Sequence, residues 1–124
     1  MTALLDTHAL LWWITDDRRL SKRARAAIKS GDVLVSVVSA WEIEIKRGLG
    51  RVTADTNAIL DEVSATEGFE WLDVRPSHVA ALAELPPLHG DPFDRMLVAQ
   101  ARLEHVALIS RDRNVRRYPL EVVW

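Results

Sequence analysis

Hydrophobic positions along the chain fall into two periods, and the switches between them mark the elements. Thr2 to Leu5 is a short apolar run closed by Asp6, and His8 to Ile14 continues with helix-compatible residues, which predicts a strand feeding directly into a helix. Ser21 is placed to cap an alanine-rich helix ending near Ser30, with Gly31 as its stop. Val33 to Val38 is continuous, β-branched and apolar, as expected of a strand covered on both faces. Ser39 to Arg47 reads as a helix stopped by Gly48, Thr56 to Glu67 as a helix, Phe69 to Val74 as a strand, and Ser77 to Leu85 as a helix ended by Pro86 and Pro87. The strongest helical signal is Asp91 to Glu104, with Pro92 in its first turn and Phe93, Met96, Leu97 and Ala101 on one face. Val106 to Ile109 and Leu120 to Val123 complete the strands. Strands alternating with helices predict an α/β fold, a three-layer α/β/α sandwich around a mostly parallel sheet, in one domain spanning residues 1–124.

Composition narrows the classes. With 48% hydrophobic and 27% charged residues in 124, the chain reads as globular rather than disordered, and no stretch approaches the ~18 apolar residues of a membrane span. The apolar N-terminus lacks a basic leader and carries Asp6 and His8, so it reads as part of the fold and the cytoplasm is the expected compartment. The absence of cysteine excludes disulfides, thiolate zinc sites and cysteine nucleophiles. A net charge of −2 argues against a polyanionic partner, but the charge is polarised. Arg18 to Lys29 holds six bases and no acid, Arg111 to Arg117 holds four bases against Asp112, and the stretch between these flanks is acidic.

Ligands of open parallel sheets bind beyond the carboxyl ends of the strands, and acids are predicted there. Asp6 ends the first strand, Glu42 falls in the first turn of the helix after the second, Asp94 opens the long helix, and Asp112 follows the strand ending at Ile109. Converging carboxylates with no cysteine are hard oxygen donors suited to Mg²⁺ or Mn²⁺, and such a cluster needs cations to stay ionised. Each acid also has a structural explanation. Asp6 suits an N-cap, Ser39 and Glu42 a capping box, Asp91 a cap before Pro92, and Asp112 a turn. Capping does not explain why all of them share one edge of the sheet.

Four segments, LLDTHALLWW, SVVSAWEIEIK, HGDPFDRMLVAQA and LISRD, occur in an order that resembles the PIN-domain family, specifically the VapC-type toxins of type II toxin–antitoxin pairs. The resemblance covers essentially the whole chain. It implies a Mg²⁺- or Mn²⁺-dependent endoribonuclease acting on RNA, a cognate VapB-type antitoxin and a homodimer, with no membrane association. The family's four acids fall on Asp6, Glu42, Asp94 and Asp112, and Ser110 takes the place of a hydroxyl near the site, where it is an expected substrate contact. Asp6 and Asp94 are then the principal metal ligands, with Glu42 and Asp112 completing the shell, and hydrolysis leaves a 5′-phosphate and a 3′-hydroxyl.

Around that core of acids, Arg111, Arg113, Arg116 and Arg117 are the expected phosphate contacts. Trp12, Trp41 and Trp71 are expected in the core, and Trp13 either there or at an interface. His8 and His89 read as structural histidines, the latter ordering the loop before Asp91. A PIN-domain protein-binding module without nuclease activity is the alternative. A phosphoacceptor domain of flavodoxin-like shape and a haloacid-dehalogenase-type phosphatase fit poorly, because Asp6 stands alone, His8 occupies the position of a second acid, and no lysine follows the late strand.

Overall fold

The computed structural model describes residues 1–124. Five strands, β1 (Thr2–Leu5), β2 (Asp32–Ser36), β3 (Phe69–Leu72), β4 (Ala107–Ile109) and β5 (Val122–Val123), form one sheet in the order β3-β2-β1-β4-β5, every pair parallel. Six helices connect them: α1 (Thr7–Ile14), α2 (Lys22–Ser30), α3 (Val37–Gly48), α4 (Thr56–Ala65), α5 (Pro76–Ala83) and α6 (Pro92–Leu103). A single 3₁₀ turn, Val115–Arg117, precedes β5.

Strand alternation divides the interior into two cores. Ala3, Leu5, Val33, Val35, Ala107 and Ile109 point to one face, where α1, α2 and α4 bring Leu10, Trp12, Ile28, Ile59 and Val63. Leu4 and Leu108 point to the other, against Leu97, Val98 and Ala101 of α6. The sheet is therefore covered on both sides, the predicted three-layer α/β/α sandwich, and its strands lack polar alternation for that reason. No helix is long and apolar enough to cross a membrane.

The junction between β2 and α3 departs from the sequence reading. β2 stops at Ser36, whose hydroxyl accepts from the Val38 amide at 3.1 Å and caps α3, so Val37 and Val38 are helical. Strand propensity yields here to a cap and to packing: Val38 is 4% exposed in the second core. The same Ser36 hydroxyl donates to Gln100 Oε1 at 2.6 Å. Gln100 in turn donates to the Asp73 carbonyl at 3.2 Å beside fully buried His78, which ties β2, α5 and α6 into one polar hub. Gly31 ends α2 in extended rather than left-handed backbone; a Cβ there would lie 2.0 Å from the Met1 carbonyl oxygen.

The tryptophans separate. Trp12 is buried, Trp13 packs its ring 6.1 Å from that of Phe69 at the core edge, and Trp71 is half-buried with its indole nitrogen donating to Ser64. Trp41, expected in the core, is instead 60% exposed. Starting α3 at Val37 turns it outward, edge-on to Phe93 with centroids 5.1 Å apart.

Candidate active site

Chain order reverses between β1 and β4, neighbouring strands distant in sequence, and in open parallel sheets the carboxyl ends at such a reversal are where ligands bind. Asp6 leaves β1 with its amide still bonded to the Ile109 carbonyl at 3.0 Å. Its carboxylate accepts from the Ala9 amide at 2.8 Å and caps α1, although the residue is only 5% exposed. Just beyond β4, Ser110 is fully buried and its hydroxyl accepts from the Asp112 amide at 3.0 Å while lying against Asp6. Asp112 closes a turn by accepting from the Asn114 amide at 2.8 Å. Asp91 caps α6, accepting from the Phe93 and Asp94 amides, and so sets Asp94 in the first turn.

Glu42 is placed differently from the capping-box expectation. With the cap at Ser36, Ser39 lies inside α3 and Glu42 in the second turn, buried. Its carboxylate accepts from the Thr7 hydroxyl at 2.6 Å and pairs with Lys46 Nζ at 2.6 Å, one helical turn on. Thr7 and Lys46 were not singled out in the sequence. The signals for them were modest: a hydroxyl directly after the first acid, and a lysine at i+4 from the second.

These carboxylates share one field. Burial, first, and then the charges of Asp91, Asp6, Asp112 and Glu42 push the Asp94 carboxyl up to about 8. Burial likewise raises Asp6, opposed by the Ser110 hydroxyl and the Ala9 amide. A site that raises its own acids this far is built for positive charge, and Lys46 supplies only one.

The donor chemistry fits Mg²⁺ or Mn²⁺: carboxylate oxygens, no thiolate, and mutual repulsion that a divalent ion would relieve. No three side chains close on one point as a ready-made cage. Mg²⁺ characteristically uses one or two carboxylates with water and substrate phosphate rather than a full protein cage, so this openness suits it.

Cations rim the acids. Arg111 stacks its guanidinium 4.7 Å from the centre of the Trp12 ring, and exposed His8 stacks on the same indole at 5.3 Å, with 16° between ring planes. Arg113 and Arg116 are exposed and pair with no acid of the chain. Arg117 is committed elsewhere, donating to the Leu88 carbonyl at 2.7 Å. Beside α6, Val37, Val38, Trp41, Val74, Leu82 and Phe93 line an apolar groove of about 500 Å³.

The PIN domain family matches this chain over residues 3–120. Ribonuclease VapC22 of Mycobacterium tuberculosis (strain ATCC 25618 / H37Rv) is 32% identical over 128 residues, covering 99% of this chain and 98% of its own. In three dimensions the chain resembles one in the crystal structure of VapBC2 from Rickettsia felis bound to a DNA fragment from their promoter, with a TM-score of 0.70, 16% identity, and 98% and 97% of the two chains covered. A chain in the crystal structure of FitAcB from Neisseria gonorrhoeae gives 0.68 at 17% identity, covering 97% and 95%.

Proposed function

This chain belongs to the PIN-domain family, and on that premise we propose that it is a Mg²⁺- or Mn²⁺-dependent endoribonuclease, the toxin of a type II toxin–antitoxin pair. The carrying observation is that Asp6, Asp112 and Glu42, from separate segments, add to burial and to Asp91 in pushing the Asp94 carboxyl up to about 8. The relative Ribonuclease VapC22 supports the ribonuclease reading. The likeness to chains of the VapBC2 and FitAcB structures supports a VapB-type antitoxin.

When bound, the divalent ion supplies charge that polarises a scissile phosphate and makes a nearby water more acidic. Asp6 and Asp94 would be its principal holders, with Asp112 assisting. Glu42, already engaged by Thr7 and Lys46, orients the shell from behind. The buried Ser110 hydroxyl favours the ionised form of Asp6 and fixes the Asp112 turn, a supporting part rather than a substrate contact. Arg111, Arg113 and Arg116 take RNA phosphates at the rim. In-line attack of water on phosphorus breaks the bond to the 3′ oxygen, leaving a 5′-phosphate and a 3′-hydroxyl. A second copy of the chain covers the apolar groove at Trp41.

The test is cleavage of RNA by the purified protein. Mg²⁺ or Mn²⁺ is required, EDTA stops the reaction, and Asp6→Asn or Asp94→Asn lowers kcat/KM by on the order of 10²-fold or more, the scale of removing a preorganised charge. Asn at position 6 still accepts from the Ala9 amide, so α1 keeps its cap and melting is not lowered. Full activity in EDTA, or in both variants, overturns the assignment. Metal binding with no cleavage of any RNA supports the protein-binding module instead.

A further inference from the structure

Each of the converging carboxylates but one has a hydrogen-bond donor from the chain. Asp6 has the Ala9 amide, Asp112 the Asn114 amide, and Glu42 both Thr7 and Lys46. Asp94 has none among the chain's hydrogen bonds. Opposite it stands the converse defect: His89 Nε2 is the buried side-chain nitrogen without a partner. It lies 3.8 Å from Asp94 Oδ2, with the two side chains 10% and 16% exposed.

The protonation of that ring follows from its other contacts. Arg95 Nη1 lies 3.0 Å from the Tyr118 hydroxyl oxygen, and a guanidinium has only donors, so the phenol accepts from it. The phenolic hydrogen is then free for His89 Nδ1, 2.8 Å away. Nδ1 is thereby an acceptor, and in the neutral ring Nε2 carries the proton. Tyr118 is 3% exposed and Arg95 also donates to the Pro86 carbonyl at 2.8 Å, so the chain of donors is anchored in the core and in the loop before α6.

Resting on the metal-nuclease reading above, we propose that His89 is a positioning residue for Asp94: its Nε2–H, oriented by Arg95 through Tyr118, is the donor that fixes the Asp94 carboxylate when it holds a divalent cation. An unpaired buried N–H is expensive, and Asp94 is the acceptor this one faces. At 3.8 Å the pair is short of a hydrogen bond here, and a small turn of the carboxylate makes it one. Donors behind ligating groups set their orientation, and losing one typically lowers metal affinity by about 10–100-fold.

The experiment uses the full chain with ¹⁵N-labelled histidine and Mn²⁺ as the probe. In metal-free wild type the neutral His89 ring is expected with Nδ1 bare and Nε2 protonated, and the Nε2 signal shifts as diamagnetic Mg²⁺ is added, Mn²⁺ being kept for the affinity measurements. His89→Ala weakens Mn²⁺ binding about 10–100-fold and lowers kcat with little change in KM for RNA. His89→Gln, whose amide can donate from the same place, restores most of both. Tyr118→Phe, which keeps the ring and removes the orienting hydroxyl, weakens Mn²⁺ binding less and populates the other tautomer; with His89→Gln it decides the matter if His89→Ala does not fold. A proton on Nδ1 in wild type, or wild-type Mn²⁺ affinity in a folded His89→Ala, overturns the proposal. Mn²⁺ affinity that depends on His89 in a protein that cuts no RNA overturns the nuclease reading and leaves this pairing standing. RNA cleavage with an affinity indifferent to His89 overturns the pairing alone.

Discussion

Asp94 illustrates how far neighbours alter a single side chain. Held up to about 8 by burial and by surrounding acids, it keeps its proton in the folded protein over a range where the unfolded chain, near 3.8, has lost it. Stability without metal is therefore present in full below about pH 4 as far as this group is concerned, and falls as pH rises towards 8. Asp6, also raised by burial, acts in the same direction. Asp17 and Glu44, both lowered to about 2 chiefly by hydrogen bonds from Arg19 and Arg47, have the opposite sign, but their effect changes only below about pH 4. Thermal unfolding followed by tryptophan fluorescence in EDTA should show melting decline between pH 5 and pH 8. Asp94→Asn should flatten that decline, and Mg²⁺ should raise melting most at the upper end. A wild-type profile that rises across this range would contradict the picture. The identity of Asp94 as an acid of interest was legible from its place beside a filled cap. Its shift was not, because that depends first on burial and then, besides nearby Asp91, on three carboxylates distant in sequence.

Among the elements, the start of α3 decides the most. Ser-Val-Val at positions 36–38 is strand-like by composition, yet the Ser36 hydroxyl both caps the helix and bonds Gln100, 64 residues on. Starting the helix there moves Glu42 into the second turn, towards Thr7, and rotates Trp41 to the surface. Ser36→Ala removes the cap and strands the amide oxygen of buried Gln100. The expected destabilisation is about 1–3 kcal/mol, read from urea unfolding of the Mg²⁺-free protein, with Ser36→Thr milder. A loss under half a kilocalorie would show that the hub centred on Gln100 is not what fixes the helix start. α6 presents the contrary case: Pro92, the Asp91 cap and a clear apolar face placed it within a residue of its observed bounds.

At the scale of the whole molecule, the sheet order brings the first and fourth strands together and so gathers acids that lie as much as 106 positions apart. Beside Asp112, Arg111, Arg113 and Arg116 are exposed, so the net charge of −2 is not spread evenly over the molecule. Between the N-terminal turns of α3 and α6 and the end of α5, the groove at Trp41 exposes apolar surface that, on the proposed dimer, a second copy would cover. Trp41→Glu should shift sedimentation to the monomer while leaving melting of the monomer nearly unchanged, because the side chain is exposed. An unaltered sedimentation coefficient in that variant would place self-association elsewhere or nowhere. Sequence alone determined the alternation of strands and helices, the parallel covered sheet and the acids closing its carboxyl edge, because hydrophobic period, caps and breakers act over a few residues. The tertiary structure decided what each acid faces. Glu42 on Lys46, Ser110 turned inward, Asp94 raised by its neighbours and His89 aimed at it all depend on through-space distances, which local pattern does not encode.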